Sequence, residues 1–154
     1  MTYKQTKKDR KELTDALGHM TCRIDMNDAE KKRLQEVSDT AYRHRQNDKK
    51  TSALFLAELE SGLCYDYILN LTYLISQYFL CVQGIRKVYA VPTLTRAYEK
   101  LSAFKCEAIR DGDVERFEMQ LEELRTLRWV YEKGEIEHMR SILRCEVYFQ
   151  KFRK

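Results

Sequence analysis

The sequence predicts an all-α fold, a single compact helical bundle of about six helices, and three observations carry that expectation. Breakers are scarce: one proline and five glycines in 154 residues cannot supply the turns of a sandwich or barrel. Charged residues make up 34% of the chain and hydrophobic ones 44%, with Leu, Glu, Lys and Arg prominent, the composition of packed helices. Apolar residues then recur at spacings of three and four along most of the chain, the period of one helix face. The same shortage of glycine excludes a low-complexity linker and a glycine-rich phosphate loop. The length suits one domain, residues 1–154, with a core of its own.

A first helix is expected from about Lys7 to Gly18, with Thr6 as N-cap and Leu13, Leu17 and Met20 as its apolar stripe. A second opens at Asn27, where Glu30 three residues on completes a capping-box pattern. It carries Leu34, Val37 and Ala41 and runs to about Asp48. So narrow an apolar face places it on the bundle surface.

The segment from Thr51 to about Ala90 reads as a long central helix. Leu56, Leu59, Leu63, Tyr67, Leu71, Leu74, Tyr78, Val82 and Ile85 form one stripe, with Cys64, Ile68, Ile75 and Phe79 beside it. Apolar residues on two faces mark a helix surrounded by others. Asp66, Asn70, Thr72, Ser76 and Gln77 interrupt every apolar run well short of the roughly 20 residues that cross a bilayer. Gly62 and Gly84 are the points at which this segment would bend or split.

Pro92 is expected to start a fourth helix, with Leu94, Ala97, Leu101, Phe104 and Ala108 inward and Gly112 as its stop. Asp113 then caps a fifth, whose core stripe is Val114, Phe117, Leu121, Leu124, Leu127 and Tyr131 and which ends at Gly134. A sixth, Glu135 to Phe152, has Ile136, Met139, Leu143 and Val147 on one face. Short connections make the last three antiparallel neighbours.

Five cysteines, Cys22, Cys64, Cys81, Cys106 and Cys145, are odd in number and widely spaced, with no secretory signal ahead of them. Free thiols in a reducing cytoplasm are the expectation. Catalytic patterns are incomplete. Glu135 and His138 have the spacing of a di-iron helix, but such a site needs a second Glu-x-x-His and two further glutamates. His19 and Cys22 lack a second ligand pair for zinc. No histidine follows an arginine by four to six residues, as in one common type of helical nuclease, and nucleophile elbow, Walker A loop and dinucleotide fingerprint are absent. The sequence therefore predicts no enzyme, no cofactor and no metal.

What remains is surface. The net charge of +4 is distributed in alternating blocks, with +4 over residues 31–50, −4 over 113–139 and +4 over 140–154. On the second helix Lys31, Tyr42, Arg45 and Lys49 fall within about 40° of one line, with Lys32 and Arg43 beside them. Cations on adjacent turns match phosphate spacing and a tyrosine among them can stack on a base, although Glu36 and Asp39 intrude. Arg140, Arg144 and Lys151 form a second basic stripe, joined by Arg153 and Lys154. Ile142, Tyr148, Phe149 and Phe152 surround the rest of that helix, an apolar circumference that fits deep burial or a partner.

Leu94 to Gly134, 41 of the 154 residues, resembles a helical hairpin of the small subunit of type III CRISPR effector complexes. The likeness lies in Leu124-Arg125 followed by Val130-Tyr131 and Gly134, while Glu135 replaces the arginine usual after that glycine. The resemblance implies a small, basic, all-helical backbone subunit that touches RNA and target strand. The residues themselves lead first to a protein-binding adaptor, inhibitor or subunit of a larger complex, with a homo-oligomer open and no membrane contact. A nucleic-acid-contacting subunit, binding RNA or DNA through the two basic stripes, is the alternative.

Overall fold

The computed structural model describes residues 26–61, 64–82 and 84–134; the first and sixth expected segments lie outside them. Six helices follow in order: α1 (Asp28–Arg43), α2 (Asp48–Leu59), α3 (Tyr65–Cys81), α4 (Lys87–Ser102), α5 (Lys105–Arg110) and α6 (Val114–Lys133). The all-α bundle holds, and among the described residues there is no strand.

α1 begins as its sequence dictates. The Asn27 side chain accepts from the Glu30 amide at 2.8 Å, and Asp28 and Glu30 face the positive end of the helix dipole. Glu30 does not reach back to the cap; its carboxylate accepts from the Cys64 thiol. The helix ends at Arg43 and not near Asp48, because Asn47 already caps α2 by accepting from the Lys50 amide at 3.1 Å. Two caps so close together leave room only for a turn.

The expected central helix over 51–90 is divided into α2, α3 and the first residues of α4. The second division contains Gly84 at φ 83°, a left-handed conformation in which a side chain is strained. The central apolar element is α3 alone: twelve of its seventeen residues are buried, on every face. Its polar members remain inside by finding partners. Asn70 donates to the Asp66 carbonyl at 2.7 Å and Thr72 to the Leu69 carbonyl at 2.8 Å.

α4 starts five residues before Pro92, contrary to the expectation. Asp48 of α2 sets this start, accepting from the Arg86 amide at 3.2 Å and from its guanidinium at 3.1 Å twice. Pro92 cannot donate to the Val88 carbonyl one turn back, but Val88 is 63% exposed, so water can reach that turn. The segment expected to run on to Gly112 breaks at Ala103–Phe104 and resumes as α5. Asp113 precedes α6 without capping it through its side chain; its carboxylate instead accepts from the Tyr65 hydroxyl at 2.6 Å. Gly134 at φ 73° closes α6.

Cross-links fix the directions. Thr51 meets Tyr78 while Glu58 meets Tyr67, so α2 and α3 are antiparallel. Ser52 bonds to Thr93 at 2.6 Å and Glu60 pairs with Arg96, so α4 runs parallel to α2. Gln120 donates to Ser76 at 3.0 Å and the Tyr131 hydroxyl to the Phe79 carbonyl at 2.8 Å, so α6 runs parallel to α3. Phe55, Tyr78, Phe79 and Tyr131 form a chain of edge-on rings with centroids 5.3 to 6.3 Å apart, the favoured aromatic geometry. No described helix is long and apolar enough to cross a membrane.

Candidate functional site

These directions bring five helix ends together: the C-termini of α1, α3 and α6 and the N-termini of α2 and α4. Positive charge gathers there. Arg43 ends α1, Arg45 lies in the following turn, Lys49 and Lys50 occupy the first turn of α2, and Arg86 and Lys87 open α4. Thr51 ties the groups, donating to the His44 carbonyl at 3.1 Å and contacting Tyr78. Burial pushes the Tyr78 phenol up to about 12, so it stays neutral. Asp48 is the acid in the middle; its hydrogen bonds from Arg86 hold its carboxyl below the ordinary value.

The expected stripe on one helix is therefore split. Lys31 and Lys32 are exposed in the first turn of α1, roughly 18 Å along the axis from Arg43, and do not belong to this cluster. Tyr42, Arg43, Arg45 and Lys49 do, although only two of them lie on α1. The Arg45 guanidinium sits 4.4 Å from the centre of the Tyr42 ring and donates to the Tyr42 carbonyl at 3.1 Å. That cation–π contact occupies one face of the ring, leaving the other for any stacking on a base. Arg43 donates to Thr40 at 3.1 Å. Arg140, Arg144 and Lys151 lie outside the described residues.

Sequence reasoning missed Lys50, Arg86 and Lys87. Arg86 is 38 positions from Asp48, and no local pattern links them. It also missed the apolar feature beside the cluster: a shallow groove of about 380 Å³ lined by Lys87, Val88, Val91, Pro92 and Glu132. Pro92 shapes it, since a ring without a donor stands where α4 faces outward. The groove lining is thus mostly apolar, with one cation, Lys87, and one acid, Glu132.

Elsewhere several surface charges are paired. Arg33 bonds to Glu58 and lies over the Tyr67 ring at 5.9 Å, and its guanidinium is raised above its ordinary value by Glu58. Glu60 is bound by Arg96 and Lys100, which lower its carboxyl to about 2. The Arg33 tie joins α1 to α2, and the Glu60 ties join the C-terminal ends of α2 and α4. Cys64, Cys81 and Cys106 are free thiols, and burial raises that of Cys64, the reverse of an activated nucleophile. Among the described residues no three His, Cys, Asp or Glu side chains are grouped to hold a metal. No family model, no curated protein and no solved structure matches this chain.

Proposed function

We propose that this chain is a non-catalytic α-helical interaction protein, an adaptor, inhibitor or subunit of a larger assembly, that binds another protein at its basic end. The single observation behind this reading is the groove lined by Lys87, Val88, Val91, Pro92 and Glu132, at the same end of the bundle as Arg43, Arg45, Lys49 and Lys50. An exposed apolar floor rimmed by charge suits a partner segment with an apolar anchor and acidic neighbours. The non-catalytic part rests on the sequence, which carries no complete catalytic set.

Comparative capture from the source cell tests this. Tagged wild-type chain and Val88→Glu are used as baits, with retained proteins quantified by mass spectrometry. Val88 is exposed, so the variant folds. A protein retained by wild type and lost from Val88→Glu is the expected result; identical retention contradicts the reading.

A second reading, the nucleic-acid-contacting subunit, is favoured by the gathering of six cations at one end and by the resemblance of residues 94–134 to a CRISPR small subunit. It predicts binding to short RNA or DNA with a steep salt slope that flattens when Arg43, Arg45, Lys49 and Lys50 are neutralised. Absence of binding at low salt removes it.

A further inference from the structure

The outer face of α6, opposite its buried side, carries a pattern that the groove does not use. Glu115, Met119, Glu122, Thr126, Trp129 and Lys133 follow one another at intervals of four, three, four, three and four, a heptad seam. The inward residues are Phe117, Gln120, Leu124, Leu127, Val130 and Tyr131. Two of these six residues are large and apolar, and neither is covered by its own fold: Met119 is 62% exposed and Trp129, the sole tryptophan, 50% exposed. The seam is acidic at its N-terminal end and basic at its C-terminal end, and this polarity selects the occupant.

We infer that α6 pairs antiparallel with α6 of a second copy of this chain across a twofold axis near Leu124. Of the residue pairs such an axis creates, the outermost sets Glu115 against the partner's Lys133. The next sets Met119 against the partner's Trp129, a sulfur–aromatic contact, and the innermost sets Glu122 against the partner's Thr126. Arg125, which already bonds to Glu122 of its own helix, lies beside the axis within reach of the partner's Glu122. Each contact occurs twice, as an isologous interface requires. A parallel pairing would instead oppose Glu115 to Glu115 and Lys133 to Lys133, so the charges exclude it. One helix of 20 residues is about 30 Å long, and its seam falls short of the roughly 800 Å² per partner of a standard interface. The dimer therefore forms and separates with concentration.

Sedimentation velocity from micromolar to millimolar chain tests the pairing, with Trp129 fluorescence as a local reporter. Wild type is expected to shift from monomer to dimer as the emission moves to shorter wavelength. Lys133→Glu turns two attractions into repulsions and weakens dimerisation about tenfold, as does Glu115→Lys. Combining the two restores wild-type association to within about threefold, because the reversed pair is again complementary. Trp129→Ala weakens it at least about tenfold. All three positions are exposed, and circular dichroism checks that each variant folds. A chain that stays monomeric throughout overturns the proposal. So does a dimer indifferent to Lys133→Glu and Trp129→Ala, or a double reversal that fails to restore association.

Discussion

Replacing Ser76 by alanine and Gln120 by leucine together is expected to stabilise the protein. Both side chains are fully buried where α3 meets α6, and the Gln120 amide donates to the Ser76 hydroxyl at 3.0 Å. The Gln120 carbonyl oxygen has no partner. A buried acceptor left unpaired costs about 1–3 kcal/mol, whereas the hydrogen bond removed contributes about 1 kcal/mol net. Leucine has nearly the volume of glutamine and places apolar atoms where the orphan oxygen was. The balance is a gain of about 0–2 kcal/mol, at roughly 3 °C in Tm per kcal/mol for a chain of this size. Gln120→Ala alone goes the other way by about 2 kcal/mol, since it opens a cavity and strands Ser76. Guanidinium titration followed by circular dichroism measures both, and the midpoint should move while the slope does not. A double variant that loses 1 kcal/mol or more refutes the reasoning, because the orphan acceptor would then cost nothing.

Other consequences concern the helix ends and the core. Phe55 is fully buried against Tyr78 and Phe79, so Phe55→Ala should cost about 3–5 kcal/mol in the same titration. Asp48→Ala removes the group that starts α4; the Tyr89 and Ala90 amides, bonded to the Arg86 carbonyl, should exchange faster while global stability falls by less than about 1 kcal/mol. Glu60 has a folded-state value of about 2 against an ordinary 4.5, so its tie to Arg96 and Lys100 is fully present above the ordinary value. The tie weakens as pH falls below 4.5 and is lost through about 2. The difference in denaturation midpoint between wild type and Glu60→Gln should therefore be largest near neutral pH and close in acid.

What the sequence made legible was local. The Asn27 cap, Gly134 after the last core residue of α6, and the two-faced apolar pattern of α3 each act within a few residues and are present in the structure, whereas the Glu30 half of the capping box is not, its carboxylate being taken by Cys64. Pro92 misled because the start of α4 depends on Asp48, far away in the chain. Asp113 looked like a cap, but its carboxylate is taken by Tyr65 across the fold. The long helix over 51–90 was an artefact of periodicity, since apolar spacing continued through a stretch in which the chain turned back on itself. The basic stripe failed for a related reason: a straight projection from Lys31 to Lys49 assumed a helix that stops at Arg43. Arg43, Arg45 and Lys49 still met, together with Lys50, Arg86 and Lys87 but without Lys31 and Lys32, because antiparallel packing stacks alternate helix ends.

Cross-linking in the source cell with a lysine-reactive reagent tests most directly whether that end is where the chain meets its partner. Lys49, Lys50 and Lys87 lie at the basic end, and Lys100 and Lys105 at the other. The account predicts links from Lys49, Lys50 and Lys87 to one partner protein, reduced by Val88→Glu. Links to another protein that arise only from Lys100 and Lys105, unchanged by that substitution, would contradict it.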